Sequence, residues 1–349
     1  MRSTQKQKLK LGFVALTDSA PLIVAKEYCF FEEQGLDVTL QKQNSWATLR
    51  DKLHAGVLDA AQMLAPMPLA SGLGLGCRPC EVIAPFVLSL NGNAITISEG
   101  LYQEILAVSG LSELPLPLSA ELLLPVIAQR KEAGLSKLKF ADVFPYSCHH
   151  YQLLDWLSDG GVELDDVDLL TVPPVNMVDF LESGEIDAFC VGGPWNAKAV
   201  RSEIGLTALT SFDIWENQPE KVLGVTKKFA SDNPDLVRSL CTALAQACSY
   251  LEKTPNRFEA ARLMSRANYL DAPIEVIAPS LIGSCLTHRF LPPRVVPSYN
   301  QFSDAAVDIN KPTREQGIWL VNKMLKANQI TDREAAYAVV DKVFTDSYL

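Results

Sequence analysis

The chain says one thing twice. The stretch "DKLHAGVLDAAQMLAPMPLA" at residues 51 to 70 aligns without a gap with "DFLESGEIDAFCVGGPWNAK" at residues 179 to 198. Gly56 then pairs with Gly184, Asp59 with Asp187, Ala60 with Ala188 and Pro66 with Pro194, every pair 128 positions apart. A similar prelude stands before each copy, "LKLGFVALTDSAPLIVAKEYCFFEEQGLDVTLQ" and "LKFADVFPYSCHHYQLLDWLSDGGVELDDVDLLTV". Both read strand, polar loop, helix, glycine, strand, with short apolar runs bounded by turn residues as buried strands require. The period is far too long for a solenoid unit, so the repeat predicts two similar α/β lobes. Asp59 and Asp187 are expected to fix the strand entrance in each.

With 48% hydrophobic residues in 349, the chain has ample core for such lobes. It carries 41 acidic against 31 basic residues, net −10, and its only basic run is the short start "RSTQKQKLK". That balance argues against direct contact with nucleic acid. The apolar run "LGFVAL" after Lys6, Lys8 and Lys10 is broken by Thr17 and Asp18, so it predicts a first strand in place of an export signal. No apolar stretch reaches membrane-spanning length, and the expected location is cytoplasmic. Six of the eight cysteines are scattered among apolar neighbours; Cys77 and Cys80 form a lone Cys-x-x-Cys with no second pair, so no metal or cofactor is expected.

Two alike lobes with loops at their strand ends make a cleft that can enclose a small molecule. Its donors are sought at helix starts. "QNSWATLRDKL" opens a helix capped by Asn44 or Ser45, with the N–H groups of Ala47 and Thr48 near the positive dipole end and Trp46 on the first turn. Ser19 caps a second helix start, with Pro21 in its first turn. In the other lobe, "PYSCHHYQLLDW" sets His149 and His150 at a helix mouth.

The segments "LTDSAPLIVAKEYCFFEEQGLDVTL", "SWATLRDKL", "LDAAQMLAPMP", "LNGNAITIS", "IDAFCVGGPWN" and "NQPEKVLGV" resemble the binding proteins of nitrate, nitrite and bicarbonate uptake systems. These are two-lobed clamshells related to type II periplasmic binding proteins. The resemblance runs from about residue 9 to about residue 270 and implies lobe I at 1–98 and 220–349 and lobe II at 99–219. The expected absence of an export signal makes the chain resemble the cytoplasmic nitrate and nitrite sensor of the NasS type. Such a sensor holds an ANTAR-type antiterminator (NasT type) inactive until nitrate releases it. The transport component of an uptake system is the alternative.

The resemblance places ligand contacts on Trp46, the Asn93 amide, His149 and Lys221. All are donors, as suits nitrate, which accepts hydrogen bonds and donates none. Ala47, Thr48, His150 and Gly193 are further candidates. Relatives carry a glutamate where this chain has Gly193, and the missing carboxylate favours nitrate or nitrite over bicarbonate. Plainer roles compete: Trp46 as packing, Asn93 as a turn residue, Lys221 as a solvated lysine. Adjacent histidines on a helix cannot both face the core, and spacing does not say which faces the cleft. His54 and His288 are expected to be solvated or locally bonded, and Trp195 to pack at the hinge side.

"SCHHYQ" resembles, only superficially, the cluster of a thiamin-pyrimidine synthase of the same fold. No hydrolase triad, phosphate loop or zinc motif supports an enzyme. The leucine- and proline-rich segment 109–140 predicts a surface helix of lobe II around 119–133. The C-terminal portion, with Trp319, Leu320, Met324 and Leu325 on one side, is expected to fold back onto lobe I.

Overall fold

The computed structural model describes residues 6–349, so the basic start falls partly outside it. Strands β1 (Gln7–Val14), β2 (Leu36–Gln43), β3 (Ala60–Leu64) and β4 (Val82–Asn91) are followed by β5 (Asn93–Ser98), β6 (Leu138–Asp142) and β7 (Val167–Thr171). Then come β8 (Ala188–Gly192), β9 (Gly205–Thr210), β10 (Pro219–Thr226), β11 (Ser284–Cys285), β12 (Arg294–Val295) and β13 (Asn300–Gln301). One sheet runs β13-β4-β10-β3-β1-β2 and another β7-β6-β8-β5-β9, with β11 and β12 forming a small ribbon.

The repeat is the reason the two sheets look alike. In each, the first strand of the unit lies parallel to the next two, β1 between β2 and β3, β6 between β7 and β8. The repeated aspartates do the same work. Asp59 Oδ2 accepts from the Lys10 N–H at 2.7 Å while its own N–H donates to the Lys10 carbonyl; Asp187 does this with Lys139 at 2.8 Å. Gly56 and Gly184, at φ +69° and +73°, make the left-handed turn that leads into each aspartate.

The fourth strand of each sheet is antiparallel and arrives from the other half of the chain: β5 enters the second sheet and β10 the first. Residues 93–98 therefore pair with lobe II, not with lobe I as the 1–98 boundary has it. The chain crosses over at Asn91 to Asn93, where positive φ at Asn91 and Gly92 turns it between sheets.

Hydrophobic residues on the outer faces form a core for each lobe, Leu11, Phe13 and Leu240 in one and Ile97, Phe140 and Leu157 in the other. A third core is shared: Leu16, Trp46 and Leu64 pack in one cluster with Cys148, Tyr151 and Phe189. The lobes are thus closed on each other. Segment 109–140 behaves as its plainer reading has it: Ala120, Leu123, Val126 and Ile127 of a 3-10 turn and the helix Leu124–Glu132 join the lobe II core.

The C-terminal helices do more than fold back onto lobe I. Leu320, Val321 and Met324 of Arg314–Lys326 pack with Val340 of Arg333–Val343 in the shared core. Lys323 and Lys326 then reach across to Asp155 on the lobe II helix Cys148–Asp159, the latter at 2.8 Å. Trp319 meets Trp215 edge-on at 4.6 Å. Among the described residues no helix is long and apolar enough to cross a membrane.

Candidate ligand-binding site

Four elements bring Trp46, Asn93, His149 and Lys221 together, and each of these side chains is fully buried. Ser45 caps the helix Trp46–His54, accepting from the Thr48 N–H at 3.2 Å, and so fixes Trp46 in the first turn. Ser147 caps Cys148–Asp159 by accepting from the His150 N–H, which directs His149 inward. Asn93 opens β5 and donates from Nδ2 to Gln152 Oε1 at 3.0 Å. Lys221 lies on β10, with Nζ 5.6 Å from the centre of the Trp46 ring.

The cluster also holds two carboxylates that the sequence motifs did not point to. Lys221 Nζ sits 2.8 Å from Asp18 Oδ2, an ion pair without hydrogen-bond alignment, and donates to Glu220 Oε1 at 2.7 Å. Gln62 Nε2 donates to the other Asp18 oxygen at 2.5 Å. A bulge explains how Glu220 and Lys221, adjacent in a strand, both turn to the cluster. Pro219 pairs with Leu90 and Lys221 with Ser89, so one residue of β10 is extra and the alternation of faces is broken there. The site is therefore not the donor-only set expected from Trp46, Asn93, His149 and Lys221.

Charges follow from burial and neighbours. Burial opposes the Lys221 charge, but Asp18 and Glu220 outweigh it and raise its pKa to about 12. Burial pushes the Glu220 carboxyl above its ordinary range, Asp18 adds to this, and Lys221 and Asn93 pull against them. Burial, then the Lys221 charge, drives His149 well below 6.5, so its imidazole is neutral near pH 7. Trp46 Nε1, both His149 ring nitrogens and Asn93 Oδ1 are buried without a hydrogen-bond partner among the described residues. A buried polar group left in that condition costs about 1–3 kcal/mol.

The secondary candidates fare differently. The Thr48 N–H is taken by the Ser45 cap and Thr48 is exposed, so it offers the site nothing; Ala47 is only half-buried beside it. His150 Nδ1 is held 2.6 Å from Asp142 Oδ2, and Asp142 also accepts from Thr171, so His150 turns away from Lys221. Gly193 accepts from the Thr17 N–H at 2.7 Å, and a Cβ there would meet Ser280 Oγ at 2.5 Å. The glycine facing the cluster is Gly192, whose added Cβ would lie 3.2 Å from Asp18 Oδ2. Ser19 starts its helix, yet its hydroxyl donates back to the Leu16 carbonyl and does not cap. His54 bonds Ser71, His288 bonds Glu99, and Trp195 packs in the shared core. Burial raises the Cys148 thiol well above 9, which makes it a poor nucleophile.

Two alike α/β lobes, joined by crossing strands and closed over a buried polar cluster, define a periplasmic-binding-protein-like fold. The family model described as "NMT1-like family" matches residues 2–265, and the chain belongs to that family. It is 34% identical over 97% of its length to the nitrate import ATP-binding protein NrtC of Synechocystis sp. PCC 6803. It is 35% identical over 92% of its length to the bicarbonate transport ATP-binding protein CmpC of Synechococcus elongatus PCC 7942. The chain spans about half the length of these curated relatives, 49% and 45%. Among solved structures, the periplasmic nitrate-binding protein NrtA of Synechocystis PCC 6803 superposes with a TM-score of 0.89 at 27% identity, over 99% of this chain and 87% of that one.

Proposed function

We propose that the chain is a receptor for a small oxyanion, nitrate or nitrite, enclosed between its lobes. The observation that carries this reading is the set of buried, unpartnered donors beside one buried cation. Trp46 Nε1 and a His149 N–H lack partners among the described residues, next to a charged Lys221. An anion with several acceptor oxygens would satisfy them at once. Trp46 and Lys221 come from lobe I, His149 and Asn93 from lobe II. An anion held by both therefore favours the closed arrangement, and its exit requires the lobes to part.

The kinship with nitrate import and nitrate-binding proteins favours a role as the binding component of an ABC-type uptake system. A second role for the same closure is that of a cytoplasmic sensor whose nitrate-bound form lets go of an ANTAR-type antiterminator. The net charge of −10 suits a grip on a basic, RNA-binding partner. The test is calorimetry of the purified chain with nitrate, nitrite, bicarbonate and an alkanesulfonate. Heat with nitrate or nitrite is the expected result; binding of the sulfonate alone would overturn the assignment. Size-exclusion chromatography with the antiterminator, with and without nitrate, separates the roles: co-elution abolished by nitrate supports the sensor, and no co-elution in either condition removes it.

A further inference from the structure

We propose that Glu220 takes up a proton whenever an acceptor-only anion such as nitrate enters the buried cluster, so that the closed site holds the anion and a proton together. The inference rests on the oxyanion-receptor reading. Lys221 Nζ is already shared between two carboxylates, at 2.8 Å from Asp18 and 2.7 Å from Glu220, and all three groups are at most 1% exposed. With both carboxylates ionised the trio sums to one negative charge, and solvent and salt screen it little. A second anion placed there would face two like charges with no free cation to meet it.

The groups around Glu220 leave one place for the missing positive charge. Lys221, its strand neighbour, is charged already. Asp18, from the turn after β1, is engaged on one oxygen by Gln62 and on the other by Lys221. His149, from the facing helix, is held neutral by burial and by Lys221. Cys148 on that helix and Cys190 on β8 remain thiols, both raised by burial and by Glu220 itself, and Asn93 is an uncharged amide. Burial and Asp18 both favour the neutral Glu220 carboxyl. The balance is simple: the ionised site, one nitrate and one proton give a nitrate complex with Glu220 as the acid, and the net charge of the cluster is unchanged. The acid also turns Glu220 from an acceptor into an O–H donor, 3.6 Å from His149 Nδ1.

The experiment is titration calorimetry of the full chain with sodium nitrate, between about pH 6 and about pH 8, in buffers of differing ionisation enthalpy. The expected result is uptake of about one proton per nitrate, with affinity falling about tenfold per pH unit above the pKa of Glu220 in the free protein. In Glu220→Gln, uptake should vanish and the affinity should become flat with pH. Nitrate binding by the wild type without proton uptake overturns the inference and leaves the receptor reading standing; this measurement decides even where the variant fails to fold. Undiminished uptake in a folded Glu220→Gln protein overturns it by moving the proton elsewhere. A wild type that binds neither nitrate nor nitrite removes the receptor reading, and this inference with it.

Discussion

Replacing Lys221 by methionine keeps an unbranched apolar stem and deletes the ammonium. The structure says what is left behind: Asp18 and Glu220, both buried, lose the cation that lies within 2.8 Å of each. Breaking a buried pair by removing one partner costs about 3–5 kcal/mol. That is a large part of the roughly 5–15 kcal/mol that holds a domain folded. Lys221→Met should therefore be destabilised by about 3–5 kcal/mol at neutral pH, besides losing nitrate binding. The loss should depend on pH with a definite sign. Glu220 has a raised folded pKa, so its ionisation works against the fold as pH rises through that value, and its protonation relieves the strain as pH falls. Without Lys221 the relief is greater, and the gap between variant and wild type should narrow in mild acid. In the wild type, the contribution of Lys221 is complete below its unfolded pKa of about 10.4 and fades as pH rises through about 12. Urea unfolding at neutral and mildly acid pH measures all of this, with the slope checked for constancy. A neutral-pH difference under about 0.5 kcal/mol would refute the claim that Lys221 neutralises buried carboxylates.

Trp46→Phe keeps most of the buried ring and removes an N–H without a partner among the described residues, so nitrate binding should weaken by about 1–2 kcal/mol. Unchanged affinity by calorimetry would take the indole out of the site. Asp155→Asn strips the charge partner from Lys323 and Lys326 and should loosen the helix Arg314–Lys326 by about 1–3 kcal/mol, read as faster amide exchange in that helix. The Asp155 pKa is lowered, against its burial, by Lys323, Lys326 and Trp215. Its stabilisation is therefore full above the unfolded pKa, about 3.9, and lost as pH falls through the lower folded value, and an acid melt that fails to separate variant from wild type counts against a stabilising role for these ion pairs. Asp59→Ala and Asp187→Ala should each cost about 1–3 kcal/mol and add in the double variant, because equivalent bonds in separate sheets are lost. Strong non-additivity in urea melts would mean that the two strand entrances are coupled.

What could be read before the structure, and what could not, divides along the range of the interaction. The repeated Gly and Asp pairs were legible because each acts on backbone close by, a left-handed turn followed by a carboxylate on one strand N–H, and local geometry leaves its mark at fixed spacing. Trp46, Asn93, His149 and Lys221 were legible through motif resemblance, and the structure does gather them. Glu220 stood in plain sight within "PEKV", but strand alternation assigns neighbours to opposite faces, and nothing in four residues announces the bulge that breaks the rule. In the sequence Asp18 stands out only as a residue that interrupts an apolar run. An aspartate soon after a buried strand is itself a signal, since a carboxylate there needs a partner, and its cation, Lys221, comes from more than two hundred residues away. Asp155 was invisible for the same reason, its lysines lying 168 and 171 positions on. His149 is too buried and too near Lys221 to ionise near neutrality, whereas burial has raised the Glu220 carboxyl. A site that looked built from donors alone is instead one lysine held between two acids, and an anion can share it only if one of those acids gives up its charge.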